Sequence, residues 1–192
     1  ISYYACDYSY SRLLVCKKFL SKHKVVPSLF LSEMSKIGIS QNSIDILITH
    51  HALEPNRGKE KVIIEEFLNI SNKYVILFEP IYELNSKKNQ KRMDKYGYVK
   101  NLYKICKKLN CEILDYGLLD TCLNPKNLTG IIVLKKKKIT KKNKTKFKCL
   151  LTKNYLIKKK DFYYNDKAGI IYPVIKNIPI LRSEAGIIAP KI

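Results

Sequence analysis

Residues 43–56, SIDILITHHALEPN, constrain this chain more than any other stretch. Ile44, Ile46, Leu47 and Ile48 make an apolar run too continuous for a half-exposed strand, and they predict a parallel strand buried on both faces. The run stops at Thr49, His50 and His51, and Glu54, Pro55 and Asn56 follow. In open α/β sheets, ligands bind beyond the carboxyl ends of such strands. The predicted strand is therefore both a centre of the fold and the edge of a site.

The rest of the chain supplies partners for that strand. Residues 1–6, ISYYAC, read as a strand ending at Asp7. A helix over 9–22 follows, with Leu13, Leu14, Cys16 and Leu20 apolar and Ser9 or Ser11 as its cap. Residues 25–31 read as a strand whose Pro27 lacks a ladder donor, which suits a sheet edge. Beyond residue 56, the pattern predicts a helix at 58–70, a strand at 74–78, a long helix at 87–109, and strands at 111–114 and 130–134. The sum is an α/β chain: a partial Rossmann-like, mostly parallel sheet with flanking helices. Residues 149–192 change character, with short strands and the run YPVIKNIPIL at 172–181, and predict a small β-rich module. The expected division is 1–138, a Lys-rich linker at 139–148, and 149–192. A β module of that size is small for independent stability, so it is expected to pack on the main domain.

The formal charge of +21 suggests a polyanionic partner. The excess is almost all Lys, scattered among Asn and Ile, while Arg, the better phosphate and base reader, is scarce. Solvated faces or a linker account better for the runs 135–138, 141–148 and 158–160 than a nucleic-acid groove does. Likewise Phe162, Tyr163, Tyr164 and Tyr172 fit core packing better than base stacking. The six cysteines, Cys6, Cys16, Cys106, Cys111, Cys122 and Cys149, contain no C-x-x-C pair, so no metal site is expected. A reduced, cytoplasmic protein is the simplest expectation, with no membrane association.

The order of these segments resembles the class I S-adenosylmethionine-dependent methyltransferases. Three phrases carry the resemblance: YYACDYS, QNSIDILITHHALEP at 41–55, and FEPIYEL at 78–84. It implies S-adenosylmethionine as cofactor. Asp7 would hold the ribose hydroxyls with Tyr8 beside it, a carboxylate being able to accept both protons. Glu33 and Met34 would border the adenine, and Thr49 and His50 would line the methionine end. The tail resembles the Trm112-like module, best at AGIIYPVIKNIPIL over 168–181. Only Cys149 falls near a position where that module carries zinc ligands. The family's first strand and glycine-rich loop have no counterpart, since no G-x-G occurs anywhere. The expectations are therefore that the chain, which opens at Ile1 inside a strand, is a fragment; that strands 1–6 and 44–48 flank a gap; and that cofactor binding is weak or absent as the chain stands.

His50 and His51 are the candidate catalytic residues, because an imidazole titrates near neutral pH and can take a proton from an acceptor hydroxyl or amine. Adjacent residues of an extended chain point to opposite sides, so one of the two faces the cleft. Glu54, Glu79 and Tyr82 are candidate substrate contacts, with capping as the structural alternative for the two carboxylates. The cluster Arg92, Met93, Asp94, Tyr96, Gly97 and Tyr98 either covers an acceptor or packs a helix on the sheet. The expected activity is methyl transfer to a small-molecule or saccharide-type acceptor. The alternative is an RNA-binding or tRNA-modifying protein that uses the Lys-rich surface and the C-terminal module.

Overall fold

The computed structural model describes residues 1–121 and 124–189; Cys122 and the last residues of the tail lie outside them. The elements run in chain order β1 (Tyr4–Asp7), α1 (Tyr10–Lys22), β2 (Ser28–Leu31), β3 (Ile44–His50), α2 (Glu60–Ile70), β4 (Ser71–Pro80), a 3₁₀ turn (Tyr82–Leu84), α3 (Lys87–Lys95), α4 (Leu102–Lys107), β5 (Cys111–Leu118) and β6 (Thr129–Lys136). The short strands β7 (Ile157–Lys158), β8 (Phe162–Asn165), β9 (Ile170–Ile175), β10 (Ile178–Pro179) and β11 (Ile187–Ile188) follow. Among the described residues no helix is long and apolar enough to cross a membrane.

The chain forms two compact units, which cut it differently from the expected division: Ile1–Ser40 with Thr145–Ile192, and Gln41–Lys144. The tail strands thus share a unit with the first forty residues. In that unit β1 and β2 pair in parallel, and Leu31 makes a further parallel bridge to Ile180. Ser9 caps α1, its hydroxyl accepting from the Arg12 N–H at 3.4 Å. Leu13 of α1, Leu29 and Leu31 of β2, and Ile178 of β10 form one apolar cluster. Each tail strand pairs antiparallel with its neighbour, in the order β10-β9-β8-β7, with β11 also on β9. Tyr172 is fully buried, and Tyr163 meets Phe147 edge-on at 5.1 Å, so these tail aromatics pack as a core. Cys149 is buried beside them. Burial pushes its thiol up, but hydrogen bonds from Thr152, Tyr172 and Asn165 outweigh that and bring it down to about 7. Among the described residues no three His, Cys, Asp or Glu side chains converge on a metal position.

The second unit is a four-stranded sheet in the order β3-β4-β6-β5. β3 and β4 pair in parallel, while β6 runs antiparallel to both β4 and β5, so three of the four strands point the same way. Val75 and Leu77 of β4 and Ile132 and Leu134 of β6 are fully buried, which makes this pair the centre of the sheet. α2 lays Ile63, Ile64, Phe67 and Ile70 against it. Lys136 closes the other end of α2: its ammonium donates to Leu68 O at 2.8 Å and Ser71 O at 3.1 Å, a cation on terminal helix carbonyls.

Two expectations need correction. β3 is not buried on both faces, since Ile46 is 50% and Ile48 61% exposed. Among the described residues β3 pairs only with β4, so it lies at a sheet edge. Periodicity reports apolar content but not how many neighbours a strand finds. In the first unit β1 and β2 make a two-stranded sheet. The second correction concerns the helix over 87–109, which is two helices. Gly97 at φ +65° and Asn101 at φ +57° end one and start the other. Between them the Tyr98 N–H returns to Met93 O at 2.9 Å, and the Val99 N–H bonds Glu54 O at 3.1 Å.

Gly130 lies where β6 begins. A Cβ there would come within 2.3 Å of Ile81 Cδ1 and 2.6 Å of Gly117 O. Gly130→Ala is therefore expected to destabilise the fold by about 2 kcal/mol, as overpacking does. Urea unfolding followed by circular dichroism measures it, and an unchanged midpoint would contradict the packing described.

Candidate functional site

Glu79 organises the carboxyl end of β3 and β4. Its side chain is fully buried near the end of β4. One carboxylate oxygen accepts the Ala52 N–H at 3.0 Å and the other the Leu53 N–H at 3.2 Å. These two donors belong to the turn that leaves β3, so Glu79 fixes that turn. Burial pushes its carboxyl up to about 7, against the opposing pull of the two N–H groups and the Thr49 hydroxyl.

The turn presents His51. Its backbone is left-handed at φ +49°, and its N–H donates to Phe78 O at 2.9 Å, so the strand pairing continues while the side chain swings aside. The Nδ1 of His51 meets the Glu54 carboxylate, and its Nε2 lies 2.7 Å from the Thr129 hydroxyl. Asn127 donates to Glu54 at 3.3 Å. The phenol of Tyr98 is pushed up by burial and by its hydrogen bond to Glu54. His50 is exposed, with its ring centroid 4.8 Å from that of His51.

A second network borders this one. Asp94 accepts from Tyr82 O–H at 2.9 Å and Arg57 Nη2 at 3.0 Å, and pairs with Lys100. Lys100, Tyr82 and Arg57 together hold the Asp94 carboxyl below the usual carboxylate range. Lys100 also sits 4.2 Å from the centroid of the Tyr82 ring. Arg92 lies over Tyr96 at 5.2 Å and Tyr98 at 5.8 Å. Met93 is fully buried, so the 92–98 cluster packs its helix and also arranges charged and aromatic groups outside it.

The other residues singled out from the sequence lie in the other unit. Asp7 ends β1, and one of its oxygens accepts the Ser9 N–H at 2.7 Å. Tyr8 is exposed, with the Arg182 guanidinium 3.8 Å above its ring. Glu33 accepts the Ser35 hydroxyl at 2.6 Å just beyond β2, and Met34 beside it is half-buried. Sequence reasoning missed Thr129, Asn127 and Arg57. The signal for Thr129 was its place as the residue opening the apolar run 130–134, beside the predicted 74–78 strand. Nothing local to Asn127 or Arg57 distinguishes them from ordinary loop residues.

No known family's sequence profile matches the chain, and no curated protein matches it in sequence. Solved structures do match in fold. Magnesium protoporphyrin IX methyltransferase from Synechocystis PCC 6803, with bound S-adenosylhomocysteine, aligns at a TM-score of 0.54 and 14% identity over 69% of this chain and 63% of that one. A S-adenosylmethionine-dependent methyltransferase from Methanosarcina mazei aligns at 0.56 and 14% over 70% of this chain and 82% of its own. A Pyrococcus horikoshii protein aligns at 0.51 and 11%, over 71% and 72%. The matched part thus spans less than two thirds of the Synechocystis enzyme. About 70% of this chain thus shares the fold of solved S-adenosylmethionine-dependent methyltransferases.

The raised carboxyl of Glu79 makes stability depend on pH. A carboxyl that binds its proton more tightly when folded stabilises the fold while protonated, and that contribution is lost as pH rises from 4.5 through about 7. Wild-type protein is expected to lose of order 2 kcal/mol between about pH 5 and about pH 8 from this group. Glu79→Gln, permanently neutral, should remove that dependence. Paired urea titrations at the two pH values decide it; a slope unchanged by the substitution would contradict the assignment.

Proposed function

We propose that the chain carries a S-adenosylmethionine-dependent methyltransferase domain acting on a small-molecule or saccharide-type acceptor, with residues 149–192 as a Trm112-like module. One observation carries the reading: Thr49, His51, Glu54 and Glu79 gather at the carboxyl ends of adjacent parallel strands in a sheet of methyltransferase fold. That is where such sheets bind ligands. The antiparallel order of β7 to β10 supports the module assignment.

The residues present suit the cofactor in donor chemistry. Asp7 is an acceptor-only carboxylate at a strand end, with one oxygen on the Ser9 N–H and further lone pairs for a ribose diol. Glu33 and Met34 would border the adenine, Met34 through a polarizable thioether. Tyr8 would stand beside the ribose. The cofactor, when bound, supplies an electrophilic methyl on a sulfonium. The protein aligns the acceptor and excludes water. Asp94 with Tyr82, Arg57 and Lys100 would form the acceptor side of that enclosure.

Calorimetric titration with S-adenosylhomocysteine tests the proposal. With no G-x-G loop in the sequence to cradle the cofactor, binding is expected to be weak but saturable at high ligand concentration, and Asp7→Ala should weaken it about tenfold or more, the scale of a lost charge-assisted pair. Absence of saturable binding overturns the cofactor assignment, and unchanged affinity in the variant overturns the ribose role.

A further inference from the structure

We infer that His51, clamped between Glu54 and Thr129, is the base that removes the acceptor's proton, so that the acceptor class is a hydroxyl or amine compound and not one already ionised. The inference rests on the methyltransferase reading above and deepens it. The Asn127 amide nitrogen lies 3.4 Å from Nδ1 of His51 and 3.3 Å from the Glu54 carboxylate; a carboxylate can only accept, so Nδ1 carries the hydrogen that meets Glu54 and the Asn127 N–H goes to Glu54 as well. In the neutral ring the lone pair is then on Nε2, 2.7 Å from the Thr129 hydroxyl, which in that state is the donor. Carboxylate, imidazole and hydroxyl stand in the sequence of contacts that general-base relays use, with the carboxylate fixing the tautomer and stabilising the imidazolium that forms.

Three features make this arrangement more than a surface ion pair. The Glu54 side chain is 15% and the His51 side chain 28% exposed, so the carboxylate is shielded while the ring stays within reach of solvent. Asn127 holds the carboxylate, and Glu79 holds the turn through two N–H groups. The left-handed backbone at His51 aims the ring at β6. A buried turn does not need a carboxylate on one ring nitrogen and a hydroxyl on the other.

In the reaction the acceptor's O–H or N–H takes the place of the Thr129 hydroxyl on Nε2. Its proton passes to Nε2. Its electron pair forms the bond to the sulfonium methyl as the old carbon–sulfur pair returns to sulfur. The imidazolium, stabilised by Glu54, later gives its proton to water. His51 touches the acceptor; Glu54 and Thr129 are positioning residues.

The first test needs no cofactor. Nitrogen-15 NMR of the imidazoles should show His51 as the Nδ1–H tautomer, and Glu54→Ala should let it redistribute. Thr129→Val, which uncovers Nε2, should speed carbethoxylation of His51 severalfold relative to His50 and His23 in the same molecule, and Thr129→Ser should restore the wild-type rate. A Nε2–H tautomer, or a His51 rate indifferent to Thr129→Val, overturns the relay. The second test offers S-adenosylmethionine with a panel of alcohols, phenols, amines and carboxylates. Transfer should favour the first three, and His51→Gln should reduce it about a hundredfold. Preferred transfer to carboxylates, unaffected by His51→Gln, overturns the acceptor class. Failure of S-adenosylhomocysteine to bind while the tautomer result holds sinks the cofactor assignment and leaves the relay standing; the converse sinks only the relay.

Discussion

The carboxylate of Glu79 is the point from which the candidate site is built. A buried carboxylate is expensive to ionise, and here it is engaged by two backbone N–H groups from consecutive residues. Those bonds convert the end of β3 from an extended chain into a fixed turn. The turn sets the positive φ of His51, and that φ sends the ring to Thr129 on β6 rather than along β3. Three strands therefore meet chemically through one residue that never reaches the surface.

The sheet order explains why the site lies where it does and how the edges of the unit differ from its centre. β4 and β6 are enclosed, and their apolar residues alternate cleanly into a core. β3 shares the same apolar composition but, among the described residues, has only one hydrogen-bonded neighbour, so Ile46 and Ile48 stay half in water. Edge strands of this kind carry unpaired N–H and C=O groups alongside apolar side chains. Both edges leave apolar side chains in water, Ile46 and Ile48 on β3 and Leu114 and Leu118 on β5.

Much of this was legible beforehand. The α/β character, the placement of polar residues after 44–48, and the Ser9 cap all follow from local pattern, because periodicity and capping are local physics. The break of 87–109 into two helices was written in Gly97, but Asn101 hides it: a left-handed Asn looks like any helix-surface residue until its φ is known. The exposure of Ile46 and Ile48 was illegible, since burial of a strand depends on partners distant in sequence. So was the pairing of His51 with Thr129, 78 positions away. Glu54 and Glu79 were both marked as candidates, yet their different tasks, one meeting an imidazole and the other tying a turn, came only from which donors the fold delivers to each.

The segment between α3 and α4 has a further consequence. Its Val99 N–H rests on the carbonyl of Glu54, and its Lys100 N–H reaches the Glu60 carboxylate at the start of α2 at 3.4 Å. The residue whose side chain orients the histidine is thus gripped through its main chain by a stretch that also carries the aromatic and cationic groups outside the site. A change in the length of this stretch would therefore move the main chain of Glu54 and, through its carboxylate, the seat of the His51 ring, so the two networks cannot be repositioned separately.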